Sequence, residues 1–129
     1  LARLDLLLRD CADQLGVPAP ASFTLKLTGD QELQELNARF LGEAQPTDVL
    51  AFPGDETGPT KGARSRVGDV AISVERALAQ SADGAKELRL LAVHGLLHCL
   101  GHDHADAASA RRMTTVTRRL LPAQDIPDL

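Results

Sequence analysis

His94-Gly95-Leu96-Leu97-His98-Cys99-Leu100-Gly101-His102-Asp103-His104 constrains this chain more than any other stretch, because it gathers all four histidines of 129 residues into eleven. If Leu90 to Leu100 is one helix, His94 and His98 stand a turn apart on the same face, with Cβ atoms about 6 Å apart. Both imidazoles then reach one metal ion at roughly 2.0–2.1 Å. Three histidines on successive turns of a straight helix would place the outer two about 12 Å apart along the axis, too far to share that ion. Gly101 supplies the way out: a left-handed glycine stops the helix and folds the chain back, which brings His104 to the other two. The stretch therefore asks for a helix, a turn and a return, and it puts a metal-dependent hydrolase first among the functions to consider.

The spacing His-x-x-x-His-x-x-Gly-x-x-His is that of the metzincin zinc proteases, which carry a Glu general base directly after the first His. Here that slot is Gly95. Ligands without the base still lower the pKa of water at the ion, but efficient peptide cleavage needs another proton acceptor. A peptidase or amide hydrolase therefore ranks second.

A chain of 129 residues with 43% hydrophobic and 25% charged residues is one ordinary globular domain, residues 1–129. It starts at Leu1 without an initiator Met, as a chain with residues upstream would. No apolar run approaches the ~20 residues that cross a bilayer, so no membrane partner is expected and the cytoplasm is the default location. Cys11 and Cys99 sit in separate helical segments and are expected as reduced thiols. Neighbouring helix positions point about 100° apart, so Cys99 should face away from the ion held by His98.

A formal charge of −4 argues against unspecific coating of nucleic acid, though not against a local basic groove. Lys61, Arg64 and Arg66 cluster in one segment, and Arg111, Arg112, Arg118 and Arg119 mark the last helix. Each group reads equally as a phosphate grip or as a solvated face. With three Phe and no Trp or Tyr, stacking platforms for bases are few.

The apolar periodicity alternates between helix and strand. Leu1, Leu4, Leu8, Cys11 and Leu15 give a helix ended by Gly16 and Pro18. Phe23, Leu25 and Leu27 alternate with polar residues as a half-buried strand. Leu33, Leu36 and Phe40 return to helical spacing, with Asp30 as N-cap and an end near Gly42. Asp48 to Phe52 and Val67 to Val74 read as strands, separated by a glycine-rich loop over Gly54 to Arg66. Helices are expected near Glu75–Ala82, Ala85–Leu100 and Asp106–Leu121. This order predicts an α/β or α+β domain with a small mixed sheet.

The histidine stretch closely resembles the signature of the YbeY family of bacterial endoribonucleases, His-Gly-x-Leu-His-Leu-x-Gly-Tyr-Asp-His, departing from it at Cys99 and His102. Pro46-Thr47-Asp48-Val49-Leu50-Ala51-Phe52-Pro53 and Gly68-Asp69-Val70-Ala71-Ile72-Ser73 resemble two further segments of that family, in the same order. The resemblance implies a sheet of about four strands packed with the metal-binding helix. It also implies a single zinc ion per chain, held by His94, His98 and His104 with a fourth position open to water. The implied activity is single-strand-specific endonucleolytic cleavage of RNA in ribosomal RNA maturation, at the 3′ end of the small-subunit RNA, and in ribosome quality control, with a ribosome or ribosomal protein as partner. A ribosome-assembly factor with a purely structural zinc is a further alternative, its sphere closed by His102 or Cys99.

Family members usually carry Arg at the slot filled here by Leu41; Arg39, two residues earlier, is its candidate substitute as a phosphate grip, or else a solvated helix residue. His102 falls where the family has Tyr and reads as a rim residue or second proton carrier. Asp48 and Asp69 are candidates for a carboxylate behind a ligand or for the missing base, and each could equally serve a turn. Thr47 reads as a local backbone hydrogen-bonding residue, and Asp103 as a ligand-orienting group or the cap of the last helix.

Overall fold

The computed structural model describes residues 3–18, 21–42, 47–54 and 65–127. Its elements follow the expected order: α1 (Leu4–Gln14), β1 (Ala21–Thr28), α2 (Asp30–Leu41), β2 (Val49–Pro53), β3 (Ser65–Ser73), α3 (Val74–Gln80), α4 (Gly84–Cys99) and α5 (Ala107–Leu120). The sheet runs β1-β3-β2, with β1 parallel and β2 antiparallel to the central β3. Three strands lie among the described residues, where about four were expected. The fold is nonetheless the mixed α+β arrangement that the alternating periods require.

Strand alternation divides β3 between two layers. Val70 and Ile72, both buried, face α4 and join Leu91, Leu96, Leu97 and Met113 in the main core. Ala71 points the other way, into a smaller cluster with Leu33 of α2 and Leu50 of β2. Leu33 alone, fully buried, contributes about 1.5–3 kcal/mol by leaving water. The main core holds α4 against the sheet so tightly that a Cβ on Gly95 would sit 2.5 Å from one Val70 methyl and 2.8 Å from the other. Glycine is what allows that approach.

Two of the helix caps differ from expectation. Gly29, not Asp30, precedes α2, and the Asp30 backbone N–H is taken by the Glu75 carboxylate of α3 at 2.9 Å. This leaves the Asp30 side chain free to bind the Arg76 guanidinium at 2.7 and 3.3 Å, which ties α2 to α3. A cap from a distant helix leaves no local trace in sequence. At α5 the N-cap is Asp106, whose carboxylate accepts the Ser109 backbone N–H at 2.8 Å, and Asp103 instead accepts the backbone N–H of His104 at 2.7 Å. After α5, Arg118 binds the Ile126 carbonyl at 2.8 Å and seats that buried side chain. Among the described residues no helix is long and apolar enough to cross a membrane.

Candidate metal and active site

The turn after α4 forms as the glycine argument requires. Gly101 has φ +99°, its N–H donates to the His98 carbonyl at 3.1 Å, and the His102 N–H donates to the Leu97 carbonyl at 2.9 Å. This is the paired hydrogen-bond pattern of a glycine-terminated helix, and it satisfies two carbonyls that the helix end would otherwise leave open. The chain folds back, and the His104 ring comes to lie edge-on to the His98 ring with centroids 5.5 Å apart. Two imidazoles sharing one tetrahedral ion at bond lengths of about 2.0–2.1 Å would have centroids roughly 5 Å apart, close to this separation.

His94 lies one turn back from His98 on α4. Its Nε2 is buried and has no hydrogen-bond partner, which is costly for an imidazole unless something else takes the atom. Burial, and then the neighbouring His98, push its pKa down to about 4 from the usual 6.5; Asp48 opposes the shift and His104 adds to it. His98 is also lowered, first by burial and then by His104, against a hydrogen bond to the His102 backbone. Both imidazoles are thus held neutral, the form that binds metals. Among the described residues no three His, Cys, Asp or Glu side chains already close around one point. The α4 pair is set by the helix, and His104 arrives on an exposed loop. The orphaned nitrogen, the neutral pair and the His98–His104 approach fit a transition metal.

Stability should follow pH accordingly. Once metal is chelated, His94 titrates near 4 in the folded chain, well below the 6.5 of an ordinary histidine. Between those values the unfolded chain binds a proton that the folded chain refuses, so stability is fullest above about 6.5 and declines as the pH falls to about 4. The loss from this residue is on the order of 3 kcal/mol. Denaturant titrations across that range should flatten for His94→Asn; an unchanged slope would mean that the His94 environment is misread.

A cleft of about 760 Å³ runs from His98 and His104 along β2. His98, His102, Asp103 and His104 form one wall, Thr47, Asp48 and the apolar residues of β2 the floor, and Asn37 with Leu41 the α2 wall. Asp48 is positioned by its own carbonyl, which accepts the Ser73 N–H at 2.9 Å, and Thr47 donates its hydroxyl to the Val49 carbonyl at 3.3 Å. Asn37 was not anticipated. Its signal was present as a polar residue on the stripe of Leu33, Leu36 and Phe40, and such a residue is buried only for a reason.

Other expected residues lie elsewhere. Arg39 faces away from the cleft, beside Thr28, Glu32 and Glu35, with its guanidinium 5.9 Å from the Phe40 ring. Residues two apart on a helix point about 200° apart, so Leu41 lines the cleft and Arg39 cannot replace a cation there. Asp69 forms an ion pair with Arg66 and is not among the lining residues. Cys99 packs down on Gly68, with its sulfur 3.8 Å from the Phe52 carbonyl, and burial, with Asp69 adding, pushes its thiol up to about 11. A protonated thiol aimed at the sheet is no metal ligand. Lys61 and Arg64 lie outside the described residues.

Comparison with known proteins identifies a family for the chain as a whole. The family model described as Endoribonuclease YbeY matches residues 2–124. Curated proteins named Endoribonuclease YbeY are similar throughout. That of a Synechococcus strain is 43% identical over 119 residues, covering 85% of this chain and 73% of its own length. That of Moorella thermoacetica is 40% identical over 123 residues, covering 88% and 79%. The solution structure of TM1509 from Thermotoga maritima, 23% identical, has the same fold, with a TM-score of 0.56 over 93% of this chain and 80% of that one.

Proposed function

Because this chain belongs to the YbeY endoribonuclease family, we propose that it is a metal-dependent endoribonuclease that cuts single-stranded RNA in ribosomal RNA maturation and ribosome quality control. The observation that carries the reading is the buried, unpartnered His94 Nε2 one helical turn from His98, whose ring meets that of His104 at the end of an open cleft. His94, His98 and His104 would hold one zinc ion, since neutral imidazoles in this pattern suit zinc. When bound, the ion supplies Lewis-acid stabilisation of charge developing on the phosphodiester. The chain's own residues do the rest. The apolar floor of β2 and the α2 wall position an extended strand, and the His102 ring, on the cleft rim, carries a proton at its nitrogen to or from the reacting oxygens. Asp48, on the cleft floor, is the candidate carboxylate for the base. Arg39 and Asp69 have no part in this scheme.

The family supports RNA as substrate and small-subunit ribosomal RNA, at its 3′ end, as the target. It likewise supports a ribosomal partner in the cytoplasm. The peptidase alternative is weakened by Gly95, which has no room for a glutamate, and the structural-zinc alternative by Cys99, which points at the sheet. The intact protein, purified without added metal, should carry about one zinc per chain and cut single-stranded RNA. A chelator should stop cleavage and zinc should restore it, while unstructured peptides stay uncut. Chelator-sensitive peptide hydrolysis without RNA cleavage would overturn the assignment and leave the metal centre standing.

A further inference from the structure

The described lining of the histidine cleft contains no Lys or Arg: its charges are Asp48 and Asp103, and Leu41 occupies the place from which a helix-borne cation would reach in. A polyanion bound there needs a cation nearby, because phosphate contacts dominate the affinity of proteins for nucleic acid. A second hollow, of about 230 Å³, adjoins the first and shares Gly101, His102 and Asp103 with it. Leu100, Ser109 and Arg112 complete it.

Arg112 is the only permanent cation on either lining among the described residues. It sits on the second turn of α5, and its guanidinium donates to the Ser109 hydroxyl at 3.2 Å. Two carboxylates lie nearby without a direct ion pair to it, and hydrogen bonds from Ser109, with the Arg112 charge adding, hold the Asp106 pKa down. Asp103 accepts the His104 N–H at 2.7 Å, and Asp106 accepts both the backbone N–H of Ser109, at 2.8 Å, and its hydroxyl, at 3.2 Å. No ion pair to Arg112 forms among the described residues. The guanidinium thus hydrogen-bonds a neutral hydroxyl within the field of Asp106, retains unused donors, and lines the same hollow as His102, the rim residue of the cleft. Guanidinium groups in this state bind phosphate by parallel N–H donors.

Resting on the reading of the cleft as an RNA site, we propose that the Arg112 hollow is a subsite for a backbone phosphate of the bound strand, flanking the phosphodiester at the histidines. The strand leaves the histidine cleft past His102 and places its next phosphates against Arg112, on the α5 side of the Gly101 turn. The Gly101 turn is thus the ridge the backbone crosses. Leu41 and Arg112 are complementary in this sense: the α2 wall is apolar, and the cation lies on the opposite rim.

The test is binding of a fluorescently labelled single-stranded oligoribonucleotide to the full chain, by anisotropy over a range of salt, with Arg112→Gln, Arg112→Lys and Arg119→Gln compared with the parent. Arg119 lies exposed near the far end of α5, so its replacement makes the same change in net charge away from the hollow. Arg112→Gln should weaken binding about tenfold and reduce the slope of log affinity against log salt by about one, with zinc content and unfolding unchanged. Arg112→Lys should recover part of the loss, and Arg119→Gln should match the parent. If the parent binds RNA and the Arg112 and Arg119 variants are indistinguishable, the subsite is wrong and the cleft assignment survives. A parent that binds no RNA overturns both.

Discussion

Gly95→Ala should destabilise this protein by about 1–3 kcal/mol, although alanine in mid-helix ordinarily gains up to about 1 kcal/mol over glycine. The sign is set by Val70, whose two methyls would lie 2.5 and 2.8 Å from the new Cβ, with the Val70 Cβ itself at 3.2 Å. Rotating a β-branched side chain cannot clear all three atoms, and Val70 is almost wholly buried. Either α4 lifts from β3 or the core repacks. Gly95→Glu should do worse, because it adds a carboxylate with no polar partner at the buried helix–sheet contact. It should lose zinc as α4 is displaced and should gain no peptidase activity. Equilibrium denaturation measures the first effect, and Gly95→Ala combined with Val70→Ala should cost less than the two changes added. A Gly95→Ala protein as stable as the parent would mean that α4 does not pack on β3 as described.

His94→Ala, His98→Ala and His104→Ala should each remove zinc from the purified protein and abolish RNA cleavage. The affinity loss should exceed the roughly 10–100-fold that follows removal of a group merely supporting a ligand. His102→Ala should keep its zinc and cleave more slowly, because its ring lines the cleft from the rim. Elemental analysis together with an RNA cleavage assay separates these outcomes, and circular dichroism confirms that each variant is folded. Equal zinc loss in all four variants would show that the ligand set is wrongly drawn.

Local chemistry was readable from the chain; reach across the fold was not. The Gly101 turn was legible because a left-handed stop is a property of two or three residues, and the hydrogen bonds from Gly101 and His102 form as the sequence demands. The five helices and three strands among the described residues also follow from periodicity. What was hidden depends on partners far along the chain. Gly95 reads as an absent base, yet its cause is Val70, a strand away. Asp30 reads as a cap, and Glu75 of another helix takes that part. Asp69 resembles a catalytic carboxylate, but Arg66 holds it. Arg39 is different, since helical geometry already turns it away from the face of Leu41.

The parallel pairing of β1 with β3 sets the order in which the molecule can come into being. Ala21 lies beside Ser65 and Thr28 beside Ser73, so the sheet cannot close until α2 and β2, which lie between these strands in sequence, have been made. Contacts of such long sequence separation slow folding, because the loop entropy is lost before the pairing energy is gained. During synthesis, Asn37, Leu41 and β2 emerge well ahead of His98 to His104, yet they line one cleft together. A nascent chain therefore exposes an unpaired β2 and one side of the cleft before any histidine has been made. The cleft is complete only after His104, its last lining residue, is free to turn back.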